Sequence, residues 1–340
     1  MVELFDRKLI FVTGKGGVGK TTIGAALALV AASKGKRTLL CEMDAKGDLA
    51  STFETRPTGF KEREVAPNLW VMSMDTEASL RQYLSLQLRF GRAAYVGPLA
   101  KMFDFVASAA PGVREIVSVG KLCWEVRERR YDIVVVDAVA SGHIIGQLAA
   151  PQAINRLVQV GLIRQQTDWM LEILSDPKIS GVLAVTTPEE MPVSETIELI
   201  GRLDSETTVA LAGVVVNRVL PELFSSREEQ VFQAISWSSA IDDVTAALGG
   251  PAEPLFEAAR LMVKMRRSRA AHVDRLREAL AQRSSAERSS AERSSAGRFS
   301  PGRASRAMPE LYYVPFLFLR SYGLRSTRQV ASALAAELDT

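Results

Sequence analysis

The sequence predicts an α/β fold built on one doubly wound, mostly parallel sheet. Short, unbroken runs of Val, Ile and Leu recur along the chain, and longer segments of helical character separate them. Such runs are typical of parallel strands, because helices cover both faces of the sheet and bury every side chain. Several runs end in Gly or Asp, which places small and acidic residues at the carboxyl edge of the sheet. We therefore expect a single α/β domain over residues 1–340.

The elements can be assigned in order from these runs. "RKLIFVTG" predicts a short buried strand, and "KTTIGAALALVAASKGK" predicts the helix that follows it. "RTLLCEMD" predicts a strand ending at Asp44, and "YDIVVVDAV" contains a strand ending at Asp137. "SGVLAVTTP", "VALAGVVVNRV" and "YYVPFL" repeat the pattern. Residues 56–130 and 152–178 are mostly helical in pattern, and we expect them to form helical elaborations on one side of the sheet.

Residues 283–306 differ from the rest of the chain in composition. They repeat a unit of Arg, Ser, Ser, Ala and Glu or Gly, with few apolar side chains. Such a segment cannot offset its ordering entropy by burial, so we predict a disordered loop insertion. Residues 260–306 hold 13 Lys and Arg against 4 Asp and Glu, whereas the whole chain has a net charge of only +3. This local excess suits either an acidic partner or a solvated helix face, and the overall balance gives no reason to expect nucleic acid.

Cysteine content and the amino terminus indicate a cytoplasmic protein. The chain has two cysteines, Cys41 and Cys123, far apart and without a CxxC pair. This composition provides neither a disulfide framework nor a zinc knuckle. The first residues, "MVELFDRK", include acids and lack a long apolar core, unlike a signal peptide. No apolar run approaches the roughly 20 residues that span a bilayer, so we expect the chain to reach a membrane only through a partner.

The stretch "GKGGVGKTT", Gly14 to Thr22, carries the strongest functional signal. It follows a predicted strand, opens a predicted helix and matches the phosphate-binding P-loop pattern in full. Its glycines let backbone N–H groups close around phosphate oxygens, and the helix N-terminus adds a positive dipole end. Lys20 would neutralise the β- and γ-phosphates of ATP, and Thr21 would bind Mg²⁺. The predicted nucleotide contacts here are Gly14, Lys15, Gly16, Gly17, Val18, Gly19, Lys20, Thr21 and Thr22.

Two acidic residues end neighbouring predicted strands. Asp137 fits the carboxylate that holds Mg²⁺ through water in P-loop sites. Asp44 lies at the same carboxyl edge, where ligands bind in such sheets, and we expect it to activate the attacking water. An alternative role for Asp44 is to cap the following helix. Glu42 faces the same side by strand alternation, but it lies inside the strand and ranks below Asp44 as a catalytic candidate.

Lys15 has no role in an ordinary P-loop, where a lysine at this position would be a solvated surface residue. The full string "GKGGVGKTT" resembles the deviant Walker A signature of the class that includes ArsA, MinD, ParA and the nitrogenase iron protein. This resemblance implies a dimer in which Lys15 reaches the nucleotide of the opposite subunit, as an arginine finger does. The predicted catalytic residues are then Asp44, Lys15 and Lys20, with ATP and Mg²⁺ as cofactors.

Further stretches are similar to the ArsA branch, which includes the arsenite-pump ATPase and the ATPase that targets tail-anchored proteins. "DAVASGH", Asp137 to His143, resembles the switch II motif "DTAPTGH" of these proteins, and "EMDAKGDLASTF" resembles their switch I motif "STDPAHNLSDAF". The resemblance places Asn217 of "VVVNRV" and Pro315 of "VPFL" against the adenine base. The matching stretches run from Phe11 to Gly323.

The sequence also departs from that pattern. Ala45 and Gly47 replace the proline and histidine of switch I, and Ala140-Ser141 replaces the Pro-Thr of switch II. The zinc-binding CxxC of the targeting ATPase and the cysteine set of ArsA are missing, so no zinc or metalloid site is expected. The chain has one P-loop, which implies a homodimer or a heterodimer with a paralogue.

We therefore predict a dimeric ATPase of the ArsA type that converts ATP and water to ADP and phosphate. Its cycle would be coupled to transport or protein targeting through an unidentified protein partner or membrane pump subunit. The alternative is a positioning ATPase of the ParA/MinD type that binds DNA or membrane. MinD-like proteins end in an amphipathic membrane helix, whereas "STRQVASALAAELDT" is acidic at its tip and predicts a docked helix.

Overall fold

The computed structural model of the protein describes residues 3–44, 48–87, 113–158, 160–236, 240–295, 309–318 and 323–338. Within them the strands are β1 (Leu9–Gly14), β2 (Thr38–Glu42), β3 (Arg63–Ala66), β4 (Leu69–Ser73), β5 (Ile133–Asp137), β6 (Ser180–Thr186), β7 (Leu211–Val219) and β8 (Glu310–Pro315). The helices are α1 (Lys20–Ser33), α2 (Asp48–Thr52), α3 (Thr76–Gln87), α4 (Val113–Arg127), α5 (Ser141–Leu157), α6 (Leu162–Ser175), α7 (Glu190–Glu206), α8 (Ser226–Ser236), α9 (Ala240–Leu248), α10 (Glu253–Ser295) and α11 (Leu324–Leu338).

The described strands form one sheet in the order β3-β4-β2-β5-β1-β6-β7-β8. All neighbouring pairs are parallel except β3 with β4. The predicted fold class, a doubly wound and mostly parallel α/β sheet, is confirmed. Because β1, β2 and β5 run side by side in the same direction, their carboxyl ends bring Gly14, Glu42 and Asp137 to one edge.

Both faces of the sheet are covered, which explains the apolar runs in the sequence. Every residue of β1 is buried, and its side chains alternate between two cores. Leu9 and Phe11 join the core on one face, while Ile10 and Val12 join the core on the other. On that second face α11 packs against α1 through side chains that include Val330. The apolar side of the carboxyl-terminal helix is therefore used inside the protein.

The prediction of mostly helical structure over residues 56–130 was wrong for its first part. Residues 63–73 form β3 and β4, an antiparallel hairpin at the edge of the sheet, and only β4 continues the parallel pairing with β2. Asn68 adopts a left-handed conformation, with φ of 62°, in the turn. The hairpin follows from pairing with β2, a tertiary contact, rather than from a local periodicity. Residues 76–87 and 113–127 are helical, and 88–112 lie outside the described residues.

The predicted disordered insertion was also wrong in part, because α10 continues to Ser295 and includes residues 283–295. Arg283 forms an ion pair with Asp204 of α7, with 2.6 Å between Nε and Oδ2. The side chain of Ser284 is buried, and its hydroxyl donates to the Leu280 carbonyl. The ion pair of Arg283 holds the start of the repeat against α7, although the composition of the repeat alone does not favour order. Residues 296–306 lie outside the described residues.

The basic residues of α10 face acidic partners on the same molecule. Arg267 pairs with Glu229 of α8, and Arg269 pairs with Glu189 just before α7. Of the two interpretations of the basic excess, the described part of α10 favours the solvated helix face. In the part of the chain that the structure describes, no helix combines the length and apolar character needed to cross a membrane.

Candidate nucleotide-binding site

The P-loop forms the turn between β1 and α1, and two of its glycines are required by close contacts. A Cβ on Gly14 would lie 2.1 Å from the carbonyl oxygen of Val185 in β6. Gly19 has a left-handed φ of 95°, and a Cβ there would lie 2.5 Å from Nδ2 of Asn217. By contrast, a Cβ on Gly16 would meet no atom within 4 Å. The loop is therefore packed tightly at its ends and open in the middle, which leaves room for phosphate groups.

The two lysines of the loop have different surroundings. The Lys20 ammonium donates to the backbone carbonyl of Lys15, at 3.2 Å, and so lies over the loop itself. Lys15 instead forms an ion pair with Glu195 of α7. The side chains of this pair are 30% and 34% exposed, so solvent weakens their attraction. Lys20 is thus placed to meet a phosphate in the loop, whereas Lys15 is held to a neighbouring helix of the same chain.

Asp137 lies at the end of β5, directly beside the P-loop. Thr21 donates its hydroxyl hydrogen to Oδ2 of Asp137 at 2.6 Å. The other oxygen, Oδ1, is buried and has no hydrogen-bond partner among the described residues. A buried acceptor without a partner points to a missing water or ion. The Thr21 hydroxyl and the Asp137 carboxylate are oxygen ligands of the kind that Mg²⁺ prefers, so the residues present fit this cation.

The raised pKa of Asp137 also indicates that this site fits a cation. Burial raises the pKa of its carboxyl to about 6, and the charges of Glu42 and Asp48 add to this rise. The Thr21 hydrogen bond and the Lys20 charge act in the opposite direction. A carboxylate that is this poorly solvated gains strongly from a nearby cation. The edge therefore favours positive charge beside Asp137.

The acids at the end of β2 divide into a buried and an exposed group. Glu42 is only 2% exposed, and its carboxylate accepts the Asp48 N–H and the Ser73 hydroxyl, each at 2.9 Å. Asp44 follows the strand and is exposed. Glu42 is thus buried within the protein, whereas the side chain of Asp44 is exposed at the same edge. The catalytic role of Asp44 stays a prediction. The partners of Glu42 were not predicted, although a charged residue inside an apolar strand indicates a buried polar contact.

The segment after Asp137 is tied to β1. The Thr13 hydroxyl donates to the carbonyl of Val139 at 2.8 Å, and the Ala138 N–H donates to the carbonyl of Val12 at 3.0 Å. His143, in the first turn of α5, is exposed. These bonds couple the predicted switch II motif to the strand that carries the P-loop.

Asn217 and Pro315 lie at the ends of β7 and β8, on the same edge as the P-loop. Asn217 is buried, and its Nδ2 donates to the P-loop carbonyl of Val18 at 2.8 Å. Phe316 N–H donates to the Val219 carbonyl at 2.8 Å, which joins the ends of the two strands. Pro315 is exposed. The carboxamide N–H of Asn217 therefore supports the P-loop, and contact of either residue with adenine stays a prediction.

Comparison of the sequence with known proteins identifies the family of the chain. The sequence model described as anion-transporting ATPase matches residues 7–170 and 162–238, which is more than half of the chain. The chain belongs to the ArsA-type anion-transporting ATPase family. This match includes the P-loop and the carboxyl ends of β2, β5 and β7, and it confirms the resemblance read from the motifs. It stops before α9, α10 and β8, so the resemblance of Pro315 to an adenine contact lies beyond the matched residues.

Several relatives carry informative names. The chain is 31% identical over 225 residues to ATPase BagA of Mycobacterium tuberculosis, covering 63% of this chain and 66% of that protein. It is 27% identical over 245 residues to a putative arsenical pump-driving ATPase of Aquifex aeolicus, covering 63% and 81%. It is 31% identical over 194 residues to ATPase get3 of Schizosaccharomyces japonicus, covering 56% and 57%. The matched part thus spans just under two thirds of the mycobacterial relative.

Proposed function

We propose that this ArsA-family chain is an ATPase that hydrolyses ATP to ADP and phosphate. The observation that carries the proposal is the group at the edge of the sheet, where Thr21 is bonded to Asp137, whose second oxygen is buried without a partner. Lys20 lies over the adjoining P-loop. Phosphoryl transfer requires a phosphate loop with a lysine and, next to the loop, a carboxylate that can hold a cation. The names of the relatives, all ATPases, support the same activity.

We assign a separate role in hydrolysis to each group of residues at the site. Backbone N–H groups of the P-loop and the Lys20 ammonium bind the phosphates. Thr21 and Asp137 would hold Mg²⁺, which neutralises charge on the phosphate oxygens. Asp44 orients a water molecule and accepts its proton as the water oxygen bonds to the γ-phosphorus. The bond from that phosphorus to the ADP oxygen breaks, and ADP leaves with the electron pair.

The proposal includes a dimer, either of two identical chains or with a paralogue. In the single chain Lys15 is paired with Glu195, and Lys20 already serves the P-loop in cis. A role for Lys15 at the nucleotide of a second subunit requires that it leave Glu195 when the subunits meet. The two states of Lys15 would couple nucleotide binding to assembly. We propose that an unidentified protein or a membrane pump subunit responds to this change, in transport or in protein targeting.

Phosphate release from Mg-ATP by the purified chain tests the ATPase proposal. Asp44→Asn should abolish turnover and leave ATP binding intact, whereas Lys20→Ala should weaken binding and turnover together. Glu64→Gln, which neutralises an exposed acid of β3, serves as the control. If Asp44→Asn turned over ATP as fast as the control, Asp44 would not be the catalytic base. Sedimentation of Asp44→Asn with and without ATP tests the dimer, and this variant is also the suitable bait for partners.

A further inference from the structure

Glu42 is a buried acid at the nucleotide edge that the proposed hydrolysis does not use. Its side chain is 2% exposed, and its position in β2 is aligned with Asp137 in the neighbouring strand β5. Burying an ionised carboxylate is costly unless hydrogen bonds compensate it, and a second acid nearby increases that cost. An apolar side chain of the same size would avoid the cost. The hydrogen bonds that Glu42 accepts must therefore have a role that an apolar side chain could not fill.

Those contacts join three segments of the chain. Oε1 accepts the backbone N–H of Asp48, the first residue of α2. Oε2 accepts the hydroxyl of Ser73, the last residue of β4, and that hydroxyl is also hydrogen bonded to Thr58. The backbone carbonyl of Glu42 accepts the N–H of Met74 at 2.7 Å. One side chain thus connects the end of β2, the start of α2 and the end of β4.

The bond to Asp48 spans the position of Asp44 in the chain. Glu42 precedes Asp44 by two residues in the sequence, and Asp48 follows it by four. Asp44 therefore lies in the sequence between Glu42 and a residue, Asp48, whose N–H is bonded to the Glu42 carboxylate. Removing the carboxylate would break this bond. Asp44 itself is exposed at the edge of the sheet.

We propose that Glu42 is a positioning residue for Asp44, acting through its hydrogen bond to the Asp48 N–H. This inference rests on the proposed function, in which Asp44 activates the attacking water. A catalytic group that is displaced by about 1 Å can lose about a hundredfold in rate, so the anchoring of the segment between Glu42 and Asp48 has a direct effect on turnover. What matters in Glu42 is a hydrogen-bond acceptor at the right distance, and its charge is secondary.

Two substitutions separate the acceptor from the charge and from packing. Glu42→Gln keeps an oxygen for the Asp48 N–H and offers its amide N–H to the Ser73 hydroxyl, but it removes the charge. Glu42→Met fills a similar volume and has no strong acceptor, so it leaves the Asp48 N–H unpaired. Replacing a buried ion by a well-packed apolar side chain is often neutral for stability. Glu42→Met is therefore expected to fold, with a melting temperature close to that of wild type.

The turnover number and the ATP affinity of the full-length chain give the first test. Glu42→Gln should keep kcat near wild type, while Glu42→Met should lower kcat about tenfold to a hundredfold with an unchanged Kd for ATP. Equal kcat for Met and Gln would overturn the proposal, because the acceptor would be irrelevant. An equally large loss in both variants would also overturn it, because the charge would be what matters. If Glu42→Met does not fold, Glu42→Ser, too short to reach Asp48, carries the same expectation.

Amide hydrogen exchange gives a second test that needs no turnover. The peptide containing the Asp48 N–H should exchange faster in Glu42→Met than in wild type, and at the wild-type rate in Glu42→Gln. Unchanged exchange in Glu42→Met would show that Glu42 does not anchor the segment. The comparison with Asp44→Asn separates the two proposals. If Asp44→Asn keeps wild-type turnover, the catalytic role of Asp44 fails; if Asp44→Asn is inactive and Glu42→Met is fully active, only the positioning role fails.

Discussion

The carboxyl edge of the sheet and the exposed face of α10 are both rich in charged residues, yet they hold their charges in different ways. At the edge, Asp137 and Glu42 are buried and bonded to specific hydroxyl and backbone groups. On α10, Arg267 is paired with Glu229, but the arginine side chain is 65% exposed. The charged groups at the edge are therefore shielded from water, whereas those on the face of α10 stay solvated.

This difference in burial indicates which of the two regions can respond to a ligand. A buried charge that loses its partner is strongly destabilised, whereas an exposed pair contributes about 0 to 1 kcal/mol. Groups at the edge are therefore sensitive to a single ligand or proton, and groups on α10 are not. The family match agrees with this division, since it includes the P-loop, Glu42 and Asp137 and ends at residue 238, before α10 begins. Four predictions test the comparison.

Among these four predictions, the largest effect is expected for Lys15, whose side chain is partly buried in its ion pair with Glu195. If it acts at the nucleotide of a second subunit, Lys15→Ala should lower kcat about a thousandfold or more, as loss of an arginine finger does. ATP binding by the single chain should persist. Phosphate release and equilibrium ATP binding measure the two quantities, with Lys8→Ala, at the opposite end of β1, as the control. Wild-type kcat in Lys15→Ala would contradict the role in trans.

Asp137→Asn should have the next largest effect, because it removes the negative charge opposite Thr21. The Mg²⁺ concentration needed for half-maximal turnover should rise about tenfold to a hundredfold. A titration of Mg²⁺ at fixed ATP concentration measures this shift. Chelation of the metal should stop hydrolysis in both proteins. An unchanged Mg²⁺ requirement in Asp137→Asn would place the cation elsewhere.

The pKa of Asp137 predicts how the stability of the metal-free chain depends on pH. Burial raises this pKa to about 6 from its ordinary value of 3.8, so the folded chain holds the proton more tightly than the unfolded chain. The contribution of this group to the free energy of unfolding is therefore fully present below about pH 4. It should decrease by about 3 kcal/mol in total as the pH rises from about 4 through about 6. Urea denaturation of the wild type and of Asp137→Asn, both in the presence of a chelator, measures this pH dependence. If the free energy of unfolding varied equally with pH in the two proteins, the prediction would be wrong.

The sequence predicted the central fold well because the decisive signals are local. Strands β1, β2, β5, β6 and most of β7 are buried on both faces, so their sequences are apolar runs, and the P-loop is one continuous motif. The hairpin β3–β4 depends on the pairing of β4 with β2. The part of α10 over residues 283–295 starts at Arg283, which forms an ion pair with Asp204 of another helix. No local pattern encodes such contacts.

The same reasoning applies to the site. Lys20, Thr21 and Asp137 could be predicted as neighbours because a motif fixes the spacing of the first two and a strand ends at the third, and the structure places Thr21 and Asp137 in contact. The partners of Glu42 and Lys15 were not found. Lys15 and Glu195 are 180 positions apart, and Glu42 reaches Ser73 in a strand that the sequence did not predict. These pairings become visible only when the sheet order is known.

The smallest effects are expected on α10, where two arginines provide a matched pair. Arg267→Ala breaks a mostly exposed ion pair and should change the free energy of unfolding by less than about 0.5 kcal/mol. Arg283 is only 10% exposed and makes two hydrogen bonds to Asp204, so Arg283→Ala should lower the free energy of unfolding by about 1–2 kcal/mol. Urea denaturation measures both values, and kcat should stay at wild type because neither arginine contacts the edge of the sheet. A large loss of turnover in Arg267→Ala would break the comparison, since an exposed charge far from the P-loop would then matter as much as a buried one.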